Sequence, residues 1–231
     1  MLTEHTCKSK AELEQRASEW CIGVLQQALN GQQAISVLLS GGSTPMPVYE
    51  KLAQAALAWS SIYLAQVDER WVEPEHELSN ERAIRQAFAA RPEALQNFVG
   101  MKRSSHSAAI AVDDCNRRYA ALPPTALCIL GMGTDGHTAS LFPGAAGLSS
   151  GLTSHTPCAA IEARHSVVTG SCTERVTMTL WALLKSERIG LFITGEDKWK
   201  LFQTARKQED RNLPVSLVLQ RAAAIDVFWS P

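Results

Sequence analysis

Apolar and polar positions follow two rhythms along this chain. From Leu13 onward the apolar residues Leu13, Ala17, Trp20, Cys21, Val24, Leu25 and Ala28 recur every three or four positions, the period of one helical face. Ser9-Lys10-Ala11-Glu12 ahead of them has the form of a capping box, and Asn30-Gly31 supplies a stop. Elsewhere short, mostly apolar segments read as strands, at Ala34 to Leu39, Ile62 to Val67, Ala126 to Leu130, 188–194 and Ala224 to Phe228. Apolar runs such as those at Ala34 and Ala126 suit strands buried on both faces. Between and around them, 45–57, 79–89, 105–121, 173–185 and 196–206 read as helices, with Pro45 early in its first turn.

Strands alternating with helices predict an α/β fold: three layers, with a mostly parallel, doubly wound sheet covered by helices on both faces. No linker, repeat or low-complexity segment divides the sequence, so residues 1–231 read as one domain. The longest irregular stretch is the Gly/Ser-rich 144–157. It fits a flexible lid or Ω-like loop and, equally well, an ordinary surface insertion.

Composition narrows the function. The chain has 231 residues, 45% of them hydrophobic, enough to bury a substantial core. A net charge of −1 with no basic stripe disfavours nucleic acid and anionic membranes as partners. No apolar run approaches the ~20 residues of a bilayer span, and Met1-Leu-Thr-Glu-His-Thr6 has no signal-peptide character. Six scattered cysteines without a Cys-x-x-Cys pair read as small buried hydrophobes in a reducing compartment. A cytoplasmic location is the expectation.

The richest chemistry lies in residues 130–144, directly after a predicted strand. Gly131, Gly133 and Gly136 let the backbone turn sharply and approach a ligand, while Asp135 and His137 flank the last of them. An Asp and a His at the end of a buried strand make an acid–base pair plausible on chemical grounds. Gly131-x-Gly133-x-x-Gly136 also matches a dinucleotide fingerprint in letters, but Pro143-Gly144 leaves no room for the long helix that fingerprint needs. No nicotinamide cofactor is expected.

Three further groups fit an anionic ligand. Ser40-Gly41-Gly42-Ser43-Thr44-Pro45 joins a strand to a helix start, where free N–H groups favour an anion; Ser43 or Thr44 could instead simply cap the helix. Asp68-Glu69-Arg70 follows the next strand at the edge where α/β sheets bind ligands. Taken alone, Asp-Glu-Arg reads more often as a solvated turn with a local ion pair, and Asp68 could order Arg70 or accept from a sugar hydroxyl. Arg175 opens the predicted 173–185 helix and Lys198 lies in the first turn of 196–206. A cation at a helix start opposes the dipole, and a bound phosphate would remove that conflict. The remaining histidines lie outside any such cluster, His5 in an expected frayed terminus and His76 in a loop, and none has metal-ligand spacing.

The loop Gly131-x-Gly-x-Asp-Gly-His-Thr-Ala-Ser-Leu-Phe-Pro-Gly144 closely resembles the signature of the 6-phosphogluconolactonase family. Leu39-Ser-Gly-Gly-Ser-Thr-Pro45, Asp68-Glu-Arg-Trp-Val72 with His76 and Ser79-Asn80, Arg175-Val-Thr-Met-Thr179, Gly195 with Lys198, and Leu213-Pro-Val-Ser216 resemble its other blocks in the same order. Cys172-Thr173-Glu174 departs from the family, which often carries prolines there.

The resemblance implies the fold of glucosamine-6-phosphate deaminase and hydrolysis of 6-phospho-D-glucono-1,5-lactone. It further implies catalysis by His137 and Asp135, and substrate binding by Gly41, Gly42, Ser43, Thr44, Asp68, Arg70, Gly133, Arg175 and Lys198. No metal or cofactor is implied, the only partner is the sugar-phosphate lactone, and a monomer or weak homodimer is expected. A deaminase-like isomerase is the nearest alternative, disfavoured because Phe142 stands before Pro143 where that chemistry has an acidic residue. A sugar-phosphate-binding domain without turnover is the other.

Overall fold

The structure, a computed structural model, describes residues 1–103, 106–166 and 169–231. In chain order its elements are β1 (Leu2–Thr6), α1 (Lys10–Gly31), β2 (Ile35–Leu39), α2 (Met46–Ala53), β3 (Ile62–Gln66), β4 (Asp68–Arg70), α3 (Asn80–Ala87) and α4 (Ala108–Ala120). These are followed by β5 (Thr125–Gly131), α5 (Leu148–Thr153), β6 (Cys158–Glu162), β7 (Glu174–Met178), α6 (Leu180–Leu183), β8 (Arg188–Thr194), α7 (Glu196–Ala205), α8 (Pro214–Arg221) and β9 (Ile225–Ser230).

Six strands form an all-parallel sheet in the order β1-β9-β8-β5-β2-β3. Alternate residues of each strand enter opposite cores. Ile35, Val37, Leu39, Leu127 and Ile129 pack against α1, α2 and α3 on one face. Leu38, Cys128, Leu130, Ile189 and Leu191 pack with buried residues of α4, α6, α7 and α8 on the other. Burial on both faces is why these strands are mostly apolar in the sequence. β2 pairs with β3 on one side and β5 on the other. The order therefore reverses there, and the loops after β2 and β5 diverge to leave a crevice.

A second, antiparallel sheet, β4-β7-β6, departs from the expected pattern. Residues 173–185 are not one helix: they form β7 and then the short α6, whose cap is Thr179 accepting from the Ala182 amide. The error lies in the period, since β-branched Val176 and Thr177 with Met178 fit a pleated, buried surface better than a helical face. Arg175 therefore lies in a strand and opposes no helix dipole.

Other boundaries also move. α2 stops at Ala53, not Leu57, and α4 begins at Ala108; Ser105, the predicted start, lies outside the described residues. β1, β6 and α8 were not anticipated. Nor is His5 frayed: its ring stacks on Phe228 at 4.3 Å, and Nε2 lies 2.9 Å from Asp226. The stretch 144–157 is not wholly irregular, because it contains α5. Phe142, Ala145, Ile161 and Ala163, with Leu148 against them, form a small core separate from the two main ones.

Candidate active site

β5 delivers the glycine-rich loop to the carboxyl edge of the parallel sheet, and hydrogen bonds then fix its shape. The Gly133 amide donates to the His137 carbonyl at 2.9 Å, and the Gly136 amide to the Gly133 carbonyl at 3.1 Å. Gly136 takes φ +79°, a region that L side chains rarely occupy. From α8 the Val215 amide donates to the Gly136 carbonyl, so the Leu213-Pro-Val-Ser216 block braces the loop from outside. Thr138 Oγ1 donates to the Gly131 carbonyl at 2.9 Å. Ala139 follows at φ +48°, backbone strain in a residue that lines the cavity.

Within this loop His137 Nδ1 lies 2.5 Å from Asp135 Oδ1. A carboxylate there holds the proton on Nδ1 and leaves Nε2 as the acceptor of the neutral ring. Burial works against the Asp135 charge, but the hydrogen bond and charge of His137 outweigh it and hold the carboxyl below its ordinary range. Gly133 makes the pairing possible: a Cβ there would sit 2.1 Å from His137 Nδ1 and 2.6 Å from Asp135 Oδ1.

A cavity of about 310 Å³ opens beside His137. Gly41, Gly42, Ser43, Thr44, Asp68, Arg70, Gly133, Arg175 and Lys198 all line it. Residues from five separate stretches of sequence thus meet in one place. Asp135 does not line it and stands behind His137.

The cations come from three elements. Arg70 ends β4 and Arg175 lies in β7, and the two residues are directly opposite each other in the antiparallel ladder. Like charges so placed repel. Arg70 donates to the Leu78 carbonyl at 2.7 Å, and Arg175 to the carbonyls of Cys172 and Thr169 at 2.9 and 3.0 Å. Lys198 is in the first turn of α7. Among the described residues none of these three cations has a carboxylate within ion-pair distance. Burial lowers the pKa of Arg175, with the nearby Asp68 opposing, and burial likewise lowers that of Lys198 against the pull of Asp135. Converging cations without an ion-pair partner suit a multiply charged anion.

The acidic side is braced from below. Asp68 accepts from Ser140 Oγ at 2.5 Å and from Asn80 Nδ2 at 3.4 Å. Glu69 is not the partner of the Arg70 guanidinium. It is buried and accepts from the amides of Arg70, Asn80 and Glu81, from Gln66 and from Ser79, tying β4 to the start of α3. Burial raises its pKa while those donors oppose the rise.

Beyond the predicted set, Ser40, Asn80, Thr134, Ala139, Phe142 and Phe192 also line the cavity. Ser40 Oγ is buried there without a hydrogen-bond partner. Asn80 fills the space where a Cβ on Gly41 would lie, 1.9 Å from its Oδ1, which gives the glycine its reason. Ser40 and Asn80 belong to sequence blocks already singled out, whereas nothing local marks Phe192. His76 is exposed, its ring accepting from the Leu78 amide at 3.1 Å in a local turn. Among the described residues no group of three His, Cys, Asp or Glu is arranged to hold a metal ion. No helix there is long and apolar enough to cross a membrane.

The comparisons agree with this geometry. Residues 8–229 match the family described as glucosamine-6-phosphate isomerases/6-phosphogluconolactonase. A 6-phosphogluconolactonase of Rhizobium meliloti (strain 1021) is 33% identical over 210 residues, 90% of this chain and 89% of that protein. One from Xylella fastidiosa (strain Temecula1) is 35% identical over 208 residues, 89% and 87% of the two chains. The crystal structure of a 6-phosphogluconolactonase from Shewanella baltica OS155 has a TM-score of 0.93 and 32% identity, covering 100% of this chain and 98% of its own. The match spans nearly the whole chain, and the chain belongs to the glucosamine-6-phosphate isomerase/6-phosphogluconolactonase family.

Proposed function

We propose that this protein hydrolyses 6-phospho-D-glucono-1,5-lactone to 6-phosphogluconate, with His137 as general base. The relatives named above supply the activity. The observation that carries the residue roles is the His137–Asp135 pair, 2.5 Å apart, beside a cavity with three cations lacking carboxylate partners.

The lactone is an activated cyclic ester, so attack by water on its carbonyl is the step to be helped. Neutral His137 takes a proton from that water at Nε2 while Nδ1–H stays on Asp135. The carbonyl carbon becomes tetrahedral, and its oxygen gains a negative charge that loop N–H groups and the nearby cations stabilise. Collapse then breaks the bond to the ring oxygen, which takes the proton from the imidazolium. Asp135 orients the ring and supports its charged form during the cycle. Arg70, Arg175 and Lys198 hold the phosphate, and Asp68 accepts from a sugar hydroxyl.

The test is acid release from freshly generated lactone, with the uncatalysed rate subtracted. His137→Ala is expected to lower kcat by ~10²–10⁴, the usual worth of a general acid–base group. Activity within about threefold of wild type would remove His137 from that role. Release of ammonia from glucosamine 6-phosphate would favour the isomerase alternative instead.

A further inference from the structure

We propose that Phe142 is a positioning residue that sets the imidazole of His137 and the guanidinium of Arg175 in fixed relation, and that the small core beneath it serves this purpose. The proposal rests on His137 being the general base.

Phe142 makes both contacts through one ring. Its centroid lies 4.2 Å from that of the imidazole, with the planes 37° apart. The guanidinium carbon of Arg175 lies 5.4 Å from the same centroid. Both distances fall within the range of attractive ring–ring and cation–ring contact. Phe142 is only 4% exposed while lining the cavity, so its ring is a wall and has little freedom to move.

Neither partner is otherwise fully fixed. Asp135 also accepts from the His137 amide, but it holds the imidazole at Nδ1 alone, and one hydrogen bond leaves the ring free to tilt about it. Arg175 is tied to the carbonyls of Cys172 and Thr169, which belong to the loop before β7. An aromatic plane supplies the missing restraint to each. It also links the reacting end of the cavity to the cationic end, so the base–phosphate distance is set through one side chain.

The small core explains how the ring itself is held. Phe142 packs with Ala145, Ile161 and Ala163, and Leu148 of α5 covers them. The Ala145 amide donates to the Phe142 carbonyl, and the amides of Ala146 and Glu162 exchange hydrogen bonds with each other's carbonyls. Gly147 at φ +88° lets the chain pass the Ala160 carbonyl, where a Cβ would come within 2.2 Å. The 144–157 segment is therefore a brace built under the ring.

The experiment compares Phe142→Leu and Phe142→Tyr with wild type and His137→Ala. Phe142→Leu keeps an apolar filler but loses the ring, so kcat should fall about 10- to 100-fold, the range that a small misplacement of a catalytic group costs. Affinity for 6-phosphogluconate should also fall, while Phe142→Tyr restores both to within about threefold. The ring current of Phe142 should shift the His137 ring protons in NMR spectra, and that shift should vanish in the Leu variant and return in the Tyr variant. If Phe142→Leu fails to fold, Leu148→Ala, which lies outside the cavity lining, decides: a moved His137 signal with reduced kcat supports the brace. Wild-type kcat and an unmoved signal in whichever variant folds would overturn the proposal. Full activity in His137→Ala would instead overturn the reading of the base.

Discussion

Gly131 and Gly133 are two positions apart in the same loop, yet their tolerance of a methyl group should differ sharply. A Cβ at Gly131 meets nothing within 4 Å, whereas one at Gly133 collides with both His137 Nδ1 and Asp135 Oδ1. Gly131→Ala is expected to keep kcat within about threefold, while Gly133→Ala loses ~10²-fold or more by displacing the base. Equal kcat in the two variants would contradict the pairing geometry. Lys198 yields a pH prediction. Burial depresses its pKa below the ordinary 10.5, so it sheds its proton at lower pH than a free lysine. Phosphate binding needs the charged form. Calorimetric affinity for 6-phosphogluconate should therefore weaken as pH rises through that depressed value, and Lys198→Arg should move the weakening to higher pH. An identical pH profile in the Arg variant would mean Lys198 does not face the phosphate.

At the scale of elements, Arg175 stands in the β4–β7 ladder and not at a helix start. Arg70 and Arg175 face each other without a carboxylate partner, which costs the empty protein and favours an anion between them. Arg175→Gln should weaken 6-phosphogluconate binding about 10- to 100-fold, in line with roughly 1.5–3 kcal/mol for a charge-assisted hydrogen bond. Binding of dephosphorylated gluconate should barely change, and equal losses for both would place Arg175 elsewhere in substrate recognition. This ladder was also the element least legible in the sequence. β2 and β5 announce themselves because both their faces are buried and all but one or two positions are apolar. In β7, Arg175 and Thr177 are polar for other reasons, since one faces the cavity and the other accepts from the Ser140 amide at 3.1 Å. Polar residues break the strand's apolar signal, and its β-branched residues were read with the wrong period. The glycine-rich loop, Ser40–Pro45 and Asp68–Arg70 were legible because each is a short contiguous block at the end of a strand. Phe142 lay in a quoted motif, but its contact with Arg175 spans the fold and has no local signature.

Across the whole molecule, the cavity draws on loops after β2 and β5, on β4 and β7, and on α7. The parallel sheet supplies the crevice at its reversal of strand order, and the second sheet supplies two of the three cations. The two ladders of the second sheet close over very different lengths of chain. β6 and β7 are near neighbours in sequence, but β4 reaches β7 only after a loop of roughly a hundred residues has closed, a step that is slow and entropically costly. The opposed arginines thus meet only through a contact remote in sequence, although β1 and β9 of the parallel sheet close a longer loop still. In a refolding experiment, tryptophan fluorescence and far-UV signal should recover first and lactonase activity later, with added 6-phosphogluconate leaving the first phase unchanged. The enzyme's competence is then a matter of time as well as shape: a newly made chain can be largely folded, and still inert, until its two opposed arginines meet.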